Sequence, residues 1–157
     1  MPPWFIILVL MEMAIVLINP TRKDFVWYQS LRRPKWLRFH VWVPMIWLGI
    51  YITFYCSALV AWHERRSWPL VGIYIFLLIL LEGYSWIVCR TRRLGTGTIL
   101  ALFCWLFALI LALMLMPQSS AASLLLLPLL IWTPFEAVSL WQMRRLNKPS
   151  SLPSDEL

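Results

Sequence analysis

Five stretches of the chain are apolar for long enough to be helices in a bilayer, and short charged segments separate them. A hydrocarbon core takes about 20 apolar residues, fewer where flanking side chains reach for the interface. The stretches run at about residues 4–19, 41–62, 68–89, 97–116 and 121–143. The first is short and stopped by Pro20, the second is entered through Pro44, and the fifth contains Pro128 and Pro134. Their hydrophobicity is continuous rather than alternating, which argues against barrel strands. The connections after the second, third and fourth stretches are short, so consecutive helices should run antiparallel as neighbours. Only the first connection, residues 21–40, is long enough to do something else. The pattern predicts an all-α integral membrane protein, a five-transmembrane-helix bundle made by residues 1–147 as one domain, followed by a flexible polar tail at 148–157.

Composition agrees with the pattern, and charge adds a direction. The 157 residues are 61% hydrophobic and 13% charged, with a mean hydropathy of +0.74, about half the charged fraction of a soluble domain. A net charge of +7 would suggest nucleic acid as a partner of a soluble protein. Here the basic residues lie between apolar stretches and are read as orientation signals facing a lipid bilayer, with no nucleic acid implied. One side carries Arg22, Lys23, Arg32, Arg33, Lys35 and Arg38, then Arg90, Arg92 and Arg93, then Arg144, Arg145 and Lys148; the other carries Arg65 and Arg66. By the positive-inside rule the N-terminus is outside, and the first loop and C-terminus are cytoplasmic. The first stretch lacks a basic leader and a small-residue cleavage site, so it is expected to remain as a helix. Cys56, Cys89 and Cys104 lie in apolar surroundings without ligand spacing and read as small hydrophobes.

The candidate chemistry is sparse. Glu12, Glu82 and Glu136 interrupt apolar stretches, and a carboxylate in the bilayer costs about 2.5–3.5 kcal/mol on insertion scales. Each should therefore face the bundle interior and be protonated, hydrogen-bonded or paired. Their depths allow one shared polar pocket, or three separate packing contacts. Trp47, Tyr51, Phe54, Ala58 and Trp62 recur at helical spacing, as do Trp132, Phe135, Glu136, Ser139 and Met143. Facing each other, the two stripes would form an aromatic slot for a planar ligand; packing alone would also explain them. His40 and His63 read as interfacial residues. No metal cluster, phosphate loop or catalytic set of side chains is visible, so an enzymatic role has no local signature. In the first loop, Arg32, Arg33, Lys35 and Arg38 are interleaved with Trp27, Tyr28, Trp36 and Phe39, a mixture suited to the headgroup layer.

These residues also carry a resemblance. Trp27, Tyr28, Leu31, Arg33, Pro34 and Trp36 resemble the WYxxLxKPxW signature of the translocator protein family, also called tryptophan-rich sensory proteins. The register continues through Trp47, Tyr51 and Trp62, and returns at Pro128, Leu130, Trp132, Phe135, Arg145 and Asn147. The resemblance implies five membrane helices, often in a homodimer, binding porphyrins and in some members sterols or synthetic ligands beneath the first loop. It implies a ligand site around Trp47, Tyr51, Trp132 and Phe135, to which the residue reading adds Phe54, Glu12, Glu82 and Glu136. The implied cap is Trp27, Tyr28, Arg33, Pro34, Trp36 and Arg38. Glu82 and Glu136 stand at or beside positions where the family has neutral residues, and Trp141 replaces the tyrosine of its proposed sterol motif. The expectation is a receptor or carrier of a flat hydrophobic molecule, tetrapyrrole-like, haem-like or sterol-like, with no obligatory cofactor and a more acidic pocket. That acidity favours a ligand with a hydrogen-bond donor or positive charge. A small assembly subunit of a larger pigment or transport complex is the alternative, and a porphyrin-degrading enzyme a second one. The expected location is a bacterial inner membrane.

Overall fold

A computed structural model describes residues 2–18, 22–34 and 42–147, with the backbone alone at 22–25. The expected cap residues Trp36 and Arg38 and the expected tail at 148–157 lie outside the described residues. The regular elements described are helices: α1 (Pro3–Ile18), α2 (Arg22–Ser30), α3 (Val43–Arg65), α4 (Trp68–Thr91), α5 (Leu94–Leu115), α6 (Ser120–Leu125) and α7 (Leu127–Leu146). Helices α3, α4, α5 and the combined run Ser120–Leu146 are each long and apolar enough to cross a membrane. The 16-residue α1 is a shorter apolar helix. Two features differ from the hydropathy pattern: the first connection contains a helix, and the last stretch is divided in two.

The division follows from proline chemistry. Pro128 sits in the first turn of α7, where its fixed φ and missing N–H suit a helix start. The chain turns at Leu126, whose N–H bonds the Ser123 carbonyl at 3.1 Å rather than that of Ala122. The Ala122 carbonyl instead accepts from Ser57 Oγ at 2.7 Å, and Ser57 Oγ is also 2.6 Å from the Tyr74 hydroxyl. Further along, Pro134 lies inside α7 and offers no N–H to Leu130. The indole N–H of Trp105 in α5 bonds the Leu130 carbonyl at 3.0 Å. Backbone groups freed by proline at membrane depth need such partners, because lipid supplies none.

The connections between the long helices are tight. Arg66 and Arg92 adopt the left-handed conformation, with φ of 47° and 54°, and their N–H groups bond back to Trp62 and Val88 at 2.7 and 2.9 Å. These C-caps reverse the chain within two residues, so α3, α4 and α5 alternate in direction. Near the second reversal Gly97 admits α4 closely: a Cβ there would collide with Val88 Cγ2. The most extensive pairing is α5 with α7, while α1 rests chiefly on α4, and α3 packs on α6 and α4. Ile7, Met11 and Ala14 form the inward seam of α1; Ala101, Cys104, Ala108 and Leu111 form that of α5. The outer faces are apolar too, as in Leu17 (78% exposed) and Ile99 (70%), which fits contact with lipid tails rather than water.

One end of the bundle gathers the basic connections. The Arg92 guanidinium lies over the Trp27 ring, 5.9 Å from its centroid, and Arg144 lies beside Gly95. Asn147, at the C-terminal end of α7, accepts from the Arg32 N–H at 2.9 Å and donates to the Arg32 carbonyl at 2.9 Å. The segment after α2, the α4–α5 reversal and the end of α7 therefore share one face of the molecule.

Candidate ligand site in the bundle interior

A polar cluster lies between α3, α4 and α7, roughly half-way through the bundle. At 1.5 Å per residue, Tyr51 is about 12 Å along α3 from the basic end, with Glu82 about 14 Å from the end of α4 and Glu136 about 15 Å from the end of α7. The Tyr51 hydroxyl donates to Glu82 Oε1, and the Tyr84 hydroxyl lies beside the Glu136 carboxylate. Glu82 and Tyr84 are two residues apart and so point to different sides of α4, which places one Tyr–Glu pair toward α3 and the other toward α7. The pairs remain within each other's field, since Glu82 acts electrostatically on Glu136 and Glu136 on Tyr51. Cys104 of α5 also lies near Glu136.

Helix α2 contributes from above. Burial pushes the Tyr28 hydroxyl well above the usual phenol range, the nearby Glu136 carboxylate adds to the shift, and Arg33 opposes it. The Arg33 guanidinium is 5.6 Å from the centroid of the Tyr28 ring, and Pro34 beside it is buried. Tyr28 thus links the first connection to the interior cluster, and Asn147 holds the strand of chain that follows it.

Two atoms of this cluster have no hydrogen-bond partner among the described residues, although they are buried: Trp132 Nε1 and Glu136 Oε2. They stand one helical turn apart on the same side of α7, as positions i and i+4. Trp132 can only donate, whereas an ionised Glu136 oxygen accepts. The other buried polar side chains of the interior are satisfied: Ser57 by Tyr74 and Ala122, and Thr133 by the Leu129 carbonyl at 2.5 Å.

The expected site residues divide accordingly. Tyr51 and Glu82 come together with Glu136 in their field, Trp132 stands one turn before Glu136 on α7, and Trp47 lies against Tyr51 with ring centroids 5.5 Å apart and a 32° tilt. Phe54 is 2% exposed and packs edge-on against Tyr74 at 5.3 Å, so it belongs to the core behind the cluster. Phe135 is 55% exposed and lies outside the buried arc of α7, which is centred on Leu129, Thr133, Ala137 and Leu140. Of the three carboxylates, whose depths allowed one shared pocket or three separate contacts, Glu82 and Glu136 lie within each other's field. Glu12 is on the exposed face of α1, one step round from the seam residue Met11, and so does not face the interior as its charge suggested. Tyr84 was not expected in the cluster, although its place two residues after Glu82 marks it as a hydroxyl at the same depth on the other side of α4.

The whole chain can now be compared with known proteins. It is 24% identical over 127 residues to the uncharacterized membrane protein YtaB of Bacillus subtilis (strain 168), an alignment covering 79% of this chain and 82% of that protein. The sequence profile of the TspO/MBR family matches residues 4–146, from the start of α1 to the end of α7. With its apolar helices joined by short reversals, the chain is a multi-pass membrane protein and belongs to the TspO/MBR family.

Proposed function

We propose that this protein is a membrane receptor or carrier that holds a flat hydrophobic ligand, tetrapyrrole-like in shape, between α3, α4 and α7. The carrying observation is the pair of buried atoms Trp132 Nε1 and Glu136 Oε2, which have no partner among the described residues. A buried polar atom left unpaired costs about 1–3 kcal/mol. A cluster serving packing alone would be more stable with apolar side chains there, whereas a ligand bonding both atoms offsets the cost. The walls suit a planar guest: Trp47 and Tyr51 on α3 and Trp132 on α7 supply aromatic faces, and Tyr28 closes the cluster from the basic end. At that end Arg33 and Arg92 lie over aromatic rings, in reach of acidic groups projecting from a ligand toward the headgroups. In this reading α1 is a fifth, short span, and the basic end faces the cytoplasm of a bacterial plasma membrane, an orientation the positive-inside rule supports.

The test is a titration of the purified protein in detergent with protoporphyrin, read by quenching of tryptophan emission. Saturable quenching that weakens in Trp132→Ala and Trp47→Ala supports the reading; quenching indifferent to both substitutions removes the site. Chromatography of the pigment after incubation separates a binder, which returns it intact, from an enzyme, which returns a product.

A further inference from the structure

The cluster also constrains the chemistry of what it binds, and this step rests on the reading just given. Its interior charges are carboxylates: Glu82 is the charged neighbour acting on Glu136, and neither has an ion-pair partner among the described residues. Among the described residues, the titratable groups near Glu136 are Tyr28 of α2, Tyr51 of α3, Glu82 and Tyr84 of α4 and Cys104 of α5, none of them cationic. Arg33 and Arg92 sit at the headgroup end over Tyr28 and Trp27. Tyr51 supplies its hydroxyl to Glu82, whereas Glu136 Oε2 has no donor among the described residues.

An unpaired acceptor and an unpaired donor one helical turn apart specify a complementary guest. We infer that the ligand's buried part is a planar lipophilic amine, which directs a protonated nitrogen at Glu136 Oε2 and an acceptor or π face at the Trp132 indole N–H. The nitrogen brings the charge that two carboxylates in a low-dielectric interior lack, and its N–H makes a charge-assisted hydrogen bond, about twice as strong as a neutral one. The same two carboxylates repel a guest whose acidic group enters first, so acidic groups must stay at the Arg33 end. Selectivity by charge thus adds to selectivity by flatness, through the penalty the interior imposes on the wrong group. The reaction is binding only: no bond to the protein forms, and a proton already on the carboxylate is displaced to solvent when the cation takes its place.

The experiment compares two tricyclic probes of the same size on the full chain in zwitterionic-lipid nanodiscs, by equilibrium dialysis with empty nanodiscs subtracted. One is 9-aminoacridine, a planar cation with N–H donors; the other is 9-methylanthracene, neutral and without donors. The expected result is at least a tenfold tighter binding of the cation, the scale of one charge-assisted hydrogen bond. Glu136→Gln should abolish the preference, the cation losing at least the tenfold advantage it has over the neutral probe in the wild-type protein. Glu82→Gln should lower the preference and serves if the first variant does not fold. Equal binding of the two probes to the wild-type protein, or a preference that survives both substitutions, overturns the amine inference and leaves the aromatic slot standing. Failure of both probes to bind the wild-type protein removes the slot and the inference together.

Discussion

Arg66 and Arg92 occupy a backbone conformation that favours glycine, at the C-caps of α3 and α4. A side chain in that conformation costs about 1–2 kcal/mol relative to the right-handed one. At Arg92 a contact offsets the cost, since its guanidinium covers the Trp27 ring and fastens α2 to the end of α4. Arg66 has no such contact among the described residues. We expect Arg66→Gly to raise stability by roughly 0.5–1 kcal/mol, read as a higher thermal midpoint in detergent. Arg92→Gly should gain less or nothing, because about 0.5–1 kcal/mol of cation–π attraction is lost with the side chain. Equal gains at both sites would show that Arg92 does not hold α2. The residue scale also shows where a sequence misleads. Glu12 carries a charge that ought to face inward, but α1 is apolar almost all the way round, so no periodic signal marks which side meets the bundle. The observed seam through Ile7, Met11 and Ala14 puts Glu12 outside it.

Among the elements, α7 shows how a broken hydrogen-bond ladder becomes a packing device. Pro134 withholds an N–H from Leu130, and Trp105 supplies one from α5, within the most extensive helix pair of the bundle. Trp105→Phe should therefore leave the Leu130 carbonyl unpaired, at a cost of about 1–3 kcal/mol. Pro134→Ala restores the helical N–H, so in that background Trp105→Phe should cost at least about 1 kcal/mol less, a coupling that a double-mutant cycle of thermal midpoints measures. Identical costs in both backgrounds would mean that the indole bond carries no load. Long apolar stretches made α3, α4 and α5 legible in the sequence within a few residues. The division of the fifth stretch was signalled by its two prolines but not its consequences, which depend on Ser57 and Trp105 in helices distant along the chain. The nine-residue α2 was missed because so short a polar stretch gives little periodicity, and its inward residues Trp27 and Tyr28 are held by tertiary contacts. Phe135 misled for the opposite reason: α7 is apolar around most of its circumference, and a stripe drawn through Trp132 and Ser139 takes in a residue beyond the buried arc.

On the scale of the whole molecule, the segment after α2, the α4–α5 reversal and the end of α7 share one end, which was expected from the distribution of Arg and Lys. If that end is cytoplasmic, a green-fluorescent reporter fused after Leu157 should light in bacterial cells, and an alkaline phosphatase fused there should be inactive; the reverse pattern would invert the proposed orientation. The candidate site was legible in part. Tyr51, Glu82, Trp132 and Glu136 announced themselves as polar or amphipathic residues in apolar stretches, while Tyr84 became meaningful only when α4 and α7 were in place. The claim that unites these scales is that Trp132 is in the bundle to meet a ligand, whereas Trp105, an indole whose N–H is already bonded to Leu130, is there to hold two helices together. Titration of Trp132→Phe and Trp105→Phe with the same planar ligand tests that claim most directly, because the two substitutions delete the same atoms. Trp132→Phe should weaken binding by about fivefold or more, with Trp105→Phe near the wild-type affinity. Equal losses, or a greater loss in Trp105→Phe, would contradict it.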